Sequence, residues 1–342
     1  MHSQHLLIVI IVGSGTLLYL GKLNSDQNDR NAFINSVQKS LKCRNLRERL
    51  LTMSTMKTVD IALFTQGVSE LMDCPWRLNL THRELQRTEL WACCNASDKL
   101  MVTRQNTNLH QSLIYEAERS NKKLVDQSLW EMLPKSLRWN KKGLLGRCAV
   151  VGSGGILNNS SCGEEIDSAD YVIRFGLAPI NQTVDRYGID VGIKTDLVSA
   201  NPSQILNGYR DLQKNPGPLT ERLSVYGHAQ LYHALHNGRP QNEVVFLHPD
   251  YLFDLARFWH NHEEKIKRLS TGLILTSAAM EICEEVHLYG FWPFALDLSQ
   301  NPVSHHYYDN VGSTAFHSMP EEFLLLLKLH TKGTLQLHLG HC

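Results

Sequence analysis

RCAVVGSGGILNNSSCGEEIDSADYVIRFGLAP, Arg147 to Pro179, is the stretch whose reading decides the fold. Its apolar run Cys148–Val151 predicts a buried strand and Gly152, Gly154 and Gly155 a turn. A helix and a second strand, Tyr171–Phe175, are expected to follow. Glycines at such a turn let the backbone approach a phosphate closely, and a helix N-terminus beyond it offers free N–H groups to an anion. The generic alternative is a dinucleotide fold, which expects an acidic residue closing the second strand to hold a ribose. Here Asp170 precedes that strand, which ends Arg174-Phe175-Gly176, and Cys148 and Cys162 flank the turn. The pattern argues against a dinucleotide and for a nucleotide site of another kind.

Working outward, strand and helix signals alternate. Further apolar strands are expected at Thr195–Ser199, Glu243–Leu247 and Val286–Tyr289, with helices such as Pro249–Trp259 and Leu273–Cys283 between them. The alternation predicts an α/β fold: a mainly parallel, Rossmann-like sheet with helices on both faces. Upstream, residues 21–70 are polar and helical in pattern, 24–31 suit a flexible stem, and Glu116–Lys123 is a charge run expected on a solvated face.

The chain has 342 residues, enough for one large domain with an anchor and a stem. A formal net charge of zero gives no support for a nucleic-acid partner. None of the eight cysteines forms a Cys-x-x-Cys pair, which argues against zinc and thioredoxin chemistry. Adjacent Cys93 and Cys94 are expected to find distant partners such as Cys43 or Cys74. Sequons at Asn79, Asn95, Asn158, Asn159 and Asn181, with the even cysteine count, favour an oxidising secretory lumen.

Leu6–Leu20 is almost wholly apolar. It is short against the ~20 residues of an average span, which suits a thinner early-secretory membrane. A cleaved signal peptide is the rival, because Gly13-Ser14-Gly15 are small. No Lys or Arg precedes the run and Lys22 follows it, so charge bias does not orient it. No Ala-x-Ala site follows either, and a signal anchor is preferred.

Three further stretches carry chemistry. Ser270-Thr271-Gly272 opens an apolar helix, and its hydroxyls serve equally as an ordinary N-cap or as an anion contact. His305-His306-Tyr307-Tyr308-Asp309-Asn310 is dense in groups that bind or transfer protons. Its plain reading is a polar loop with a histidine satisfied by Asp309; a metal site lacks a second ligand set at helical spacing. In His317-Ser318-Met319-Pro320-Glu321-Glu322, Ser318 with Glu321 predicts a capping box and Pro320 a first helical turn. His317 lies just before that helix, whose positive end disfavours imidazolium and suits a general base.

Together these blocks resemble the motifs of the animal sialyltransferases. The glycine block is similar to the large sialylmotif, and residues 268–294, RLSTGLILTSAAMEICEEVHLYGFWPF, to the small one. The histidine loop resembles the third motif, and His317 with Glu322 the very small one. SHHYYDNV at 304–311 and FHSMPEEFL at 316–324 resemble the α-2,8-sialyltransferases, ganglioside-type or single-transfer members more than polysialylating ones.

The resemblance implies a variant GT-A-like fold over 71–342, behind a tail at 1–5, an anchor at 6–20 and a luminal stem at 21–70, in a type II Golgi membrane protein. It implies CMP-sialic acid as donor, a sialylated glycolipid or glycoprotein glycan as acceptor, and no metal or other cofactor. Asp-x-Leu at 297–299 is no substitute for an Asp-x-Asp metal site. It implies His317 as catalytic base, His306 facing the leaving phosphate and Glu322 in support. Donor contacts would come from Gly152, Ser153, Gly154, Gly155, Asn201, Ser270, Thr271 and Gly272, with Trp292 near the cytidine. It pairs Cys148 with Cys283 and Cys162 with Cys342. Two positions depart from the family, which usually has Asn where this chain has Ser153 and again where it has Gly176. An impaired enzyme, a non-catalytic sialoglycan- or nucleotide-binding protein of the same fold, or a transferase making α-2,3 or α-2,6 linkages are the alternatives.

Overall fold

The computed structural model describes residues 34–115, 122–137, 139, 143–176, 178–180, 187–199, 244–262, 266, 268–310, 312 and 317–342. The expected anchor at 6–20, Asn181, Asn201 and part of the charge run lie outside the described residues. No helix among the described residues is long and apolar enough to cross a membrane.

The helices are α1 (residues 34–52), α2 (Ile61–Met72), α3 (Leu80–Cys93), α4 (Ala96–Lys99), α5 (Gln127–Met132), α6 (Gly163–Asp167), α7 (Pro249–His262), α8 (Thr271–Ile282) and α9 (Met319–Thr331). A small antiparallel pair, β1 (Ser112–Ile114) with β2 (Lys122–Leu124), stands apart from the main sheet. That sheet joins β3 (Leu145–Val151), β4 (Tyr171–Phe175), β5 (Leu197–Ser199), β6 (Cys283–Tyr289) and β7 (Gln336–His338) in the order β5-β4-β3-β6-β7, every pair parallel.

Period-two alternation sends successive side chains of β3 to opposite faces. Cys148 and Val150 join a large core with α2, α3, α7, α8 and α9. Ala149 and Val151 join a smaller one with Ile166 of α6, Val172, Tyr289 and Tyr307. Both faces are therefore covered, which is why the strand reads as continuous apolar sequence. Helix α8 buries ten of its twelve residues, which explains its lack of a polar stripe.

Four expectations need correction. Glu243–Leu247 does not form a sheet strand: in the described part only Leu247 makes an isolated antiparallel bridge, to Met101. The fifth sheet member is β7, too short at three residues to show a period in sequence. The packed unit also begins upstream of residue 70. Leu50, Met56, Phe64 and Val68 share the main core with Val150, because the apolar faces of α1 and α2 need cover. Finally, Cys93 and Cys94 are bonded to each other. Cys43 pairs with Cys74, Cys148 with Cys283 and Cys162 with Cys342, so each is the other's remaining partner.

Candidate active site

The order of the strands sets where a site forms. From β3 the chain goes to β4 on one side and later returns as β6 on the other, so the connections diverge at the carboxyl ends of β3 and β6. Such a switch point is where open α/β sheets bind ligands. Helices α8 and α9 each precede a parallel strand, β6 and β7, so their N-termini return to this same edge. That return brings the scattered motifs together.

The glycine turn follows β3, and the structure gives its glycines a different reason from the expected one. A Cβ on Gly152 or Gly154 would lie 2.6 or 2.5 Å from the carbonyl oxygen of Gly290, and one on Gly155 would lie 2.1 Å from that of Ser304. The close approach is the chain's approach to itself. Three turn amides are also in use: Gly152 donates to Tyr289 O, Gly154 to Gly290 O and Gly155 to His305 O. The Ser153 amide has no partner among the described residues, while its carbonyl accepts from Tyr307 N–H at 2.9 Å. A single 3-10 turn, Gly155–Leu157, follows directly, and the expected helix comes after it as α6, ahead of β4. The turn's partner loop holds His306, whose Nδ1 lies 2.7 Å from Asp309 Oδ1 and whose ring stacks on Tyr308. The carboxylate holds the proton on Nδ1 and fixes the ring.

Helix α8 opens at Ser270, whose Oγ accepts from Leu273 N–H at 3.1 Å. The Ser270 amide donates to Glu322 Oε1 at 2.8 Å and its hydroxyl donates to Glu322 Oε2. Glu322 thus ties the start of α8 to the first turn of α9. Burial pushes its carboxyl up to about 7, against the two Ser270 hydrogen bonds, which favour the charged form. Gly272 packs close to Phe175 and Phe291, whose rings meet edge to face at the ends of β4 and β6. His317 precedes α9, and its Nδ1 lies 3.2 Å from the carbonyl oxygen of Arg268. A carbonyl only accepts, so Nδ1 carries a proton, and in the neutral ring it is Nε2 that holds the lone pair. Ser318 makes no side-chain cap. Glu321 instead accepts from Thr55 Oγ1 and Met56 N–H, so the expected capping box is replaced by a tertiary contact.

The family profile described as Glycosyltransferase family 29 (sialyltransferase) matches residues 101–334. Human Alpha-2,8-sialyltransferase 8E is 39% identical over 322 residues, covering 89% of this chain and 84% of that protein. The chain belongs to glycosyltransferase family 29, the sialyltransferases. Human Alpha-2,8-sialyltransferase 8F is 36% identical, covering 90% of this chain and 81% of its own. A solved structure, "Crystal Structure of a Mammalian Sialyltransferase", aligns with TM-score 0.48 and 21% identity, over 77% of this chain and 99% of that one.

Within this sialyltransferase, Gly152, Ser153, Gly154, Gly155 and His306 form one hydrogen-bonded unit, and Ser270, Glu322, His317 and the Arg268 carbonyl flank α8 and α9. Thr271 is the first residue of α8. Trp292 is not presented to the site. The residue is 7% exposed, and its ring packs on Phe294 and Phe323 and donates Nε1–H to Leu296 O. Its backbone N lies closer to the turn, 3.6 Å from where a Gly154 Cβ would be. Residues missed in sequence are Phe175, Phe291 and Gly290. Gly290 has φ +74°, and a glycine directly after the apolar run Val286–Tyr289 was the available signal. Gly176, where the resemblance implies an Asn, has φ +85°.

Proposed function

We propose that the chain is an α-2,8-sialyltransferase that moves sialic acid from CMP-sialic acid to the terminal sialic acid of a glycolipid or glycoprotein glycan. The observation that carries this is the His317 contact: with Nδ1–H committed to the Arg268 carbonyl, Nε2 has no partner among the described residues and, in the neutral ring, serves as the base at the edge where the motifs converge. Nε2 takes the proton of the acceptor O8, that oxygen bonds the anomeric carbon with inversion, and the bond to the phosphate breaks as CMP departs. The transition state has oxocarbenium character, so charge growing on phosphate is what needs stabilising. His306, the Ser153 amide and the residues opening α8 supply that, with no metal or other cofactor. Glu322 holds Ser270 in place. The sequons and the disulfides support a luminal catalytic domain of a type II Golgi protein, with 6–20 as its anchor, in which Asn158 and Asn159 are exposed acceptors.

A second reading, a binding protein with little or no transfer, is motivated by Gly176, which offers no side chain to a nucleotide, and by turn amides already in use. The deciding experiment is transfer from CMP-sialic acid by the secreted luminal domain, with EDTA, against sialylated glycolipid and glycoprotein acceptors. A new α-2,8 linkage, lost in His317→Ala, is the expected result. CMP binding without transfer overturns the enzymatic reading; an α-2,3 or α-2,6 product overturns the linkage.

A further inference from the structure

Away from the transfer edge, a groove of about 630 Å³ opens where α1 and the turn after α2 meet the C-terminal end of α9. Lys39, Arg47, Arg77 and Lys332 line it, and no Asp or Glu does. None of the four forms an ion pair among the described residues. Lys332 by itself fits the negative end of the α9 dipole. The other three come from different elements, so the dipole does not account for the cluster. Arg47 is anchored by a 2.7 Å hydrogen bond from Nη2 to Pro75 O, and its charge is one of the influences that hold buried His330 well below the ordinary histidine value. Trp76 forms one wall, fixed by Nε1–H donation to His330 O at 3.1 Å. In a chain of zero net charge, four cations around one groove with no ion pair among the described residues are a concentrated positive field.

We propose that this groove binds a second carboxylate-bearing sugar of the acceptor glycan, apart from the sugar that receives sialic acid. The cations suit a sugar carboxylate, the indole wall suits the apolar face of a pyranose, and Ser40 in the lining suits its hydroxyls. The volume lies within the range of small-ligand sites. The thirteen residues of α9 separate the groove from His317 by roughly 20 Å at 1.5 Å per residue. The groove therefore reads a remote sugar or another branch. The proposal rests on the reading that the acceptor is sialylated.

The test is calorimetric titration of a sialylated trisaccharide into luminal His317→Ala protein without donor, compared with the same protein carrying Lys39→Glu and Arg77→Glu. Both lysine and arginine are exposed and make no side-chain hydrogen bond among the described residues, and thermal unfolding checks the fold. Two sialosides per chain are expected before charge reversal and one after, or about a tenfold weakening of the second site. If the transfer edge binds no sialoside, the expected change is from one to none, which separates failure of the functional reading from failure of this one. Unchanged stoichiometry and affinity, or equal binding of the asialo sugar, overturns the proposal.

Discussion

Replacing Glu322 with Gln isolates one buried carboxyl at the joint between α8 and α9. Glu322 is 3% exposed and accepts from both the amide and the hydroxyl of Ser270. Its carboxyl is raised from the ordinary 4.5 to about 7, with burial the first cause. A folded value above the unfolded one means that the folded chain binds the extra proton between those limits. The stability from the neutral form is fully present below about 4.5 and is lost as pH rises through about 7. The difference amounts to on the order of 3 kcal/mol. Glutamine is neutral throughout and keeps a carbonyl for the Ser270 amide. Wild type and Glu322→Gln should therefore be nearly equal in stability at pH 4.5, and the variant more stable by up to about 3 kcal/mol at pH 8. Denaturant unfolding of the luminal domain at several pH values, disulfides intact, measures this. A difference independent of pH would refute the reasoning, because it would mean that the Ser270 hydrogen bonds keep Glu322 ionised in the fold. Transfer by the variant should fall without change in fold, since the Ser270 hydroxyl loses its carboxylate acceptor.

Three other outcomes are expected. Gly155→Ala puts a methyl 2.1 Å from Ser304 O, so the 304–306 loop must separate from the turn. A loss of about 2–3 kcal/mol and of CMP binding is expected, and a wild-type melting curve would contradict it. Gly176→Asn, at φ +85°, enters a conformation that asparagine tolerates and restores a polar side chain, so CMP should bind about tenfold more tightly by calorimetry. Burial first, then the charges of His338 and Arg47, holds His330 down to about 4, and burial first, then His287 and Arg147, holds His338 down to about 3. Both are neutral when folded, so the unfolded chain binds more protons below about 6.5 and stability falls as pH drops toward 4. His330→Asn keeps an acceptor for Leu337 N–H and should lose less stability between pH 6.5 and 4.5 than wild type. An equal loss would mean that His330 charges inside the fold.

Much of the fold was legible because buried parallel strands are locally apolar and end in glycine. Cys148–Val151, Tyr171–Phe175 and Val286–Tyr289 announce themselves without any partner, as does α8, apolar on every side. The motifs named His306, His317, Ser270 and Glu322 as residue types suited to acid–base and phosphate chemistry, and the shared pattern placed the chain among the sialyltransferases. Sequence was silent where a residue's role depends on what lies opposite. Glu321 matched a capping box one turn from Ser318, yet Thr55 and Met56, more than 260 positions away, hold it. Trp292 carried a binding-site appearance, yet Phe294 and Phe323 close around its ring. The glycines of the turn implied a phosphate, whereas Gly290 and Ser304 set their size limit. By itself the sequence determined the elements and the chemistry they carry, because propensity and period are local. Only the tertiary structure decided that α8 and α9 return their N-termini to one sheet edge and join through Glu322 and Ser270, because that contact depends on strand order.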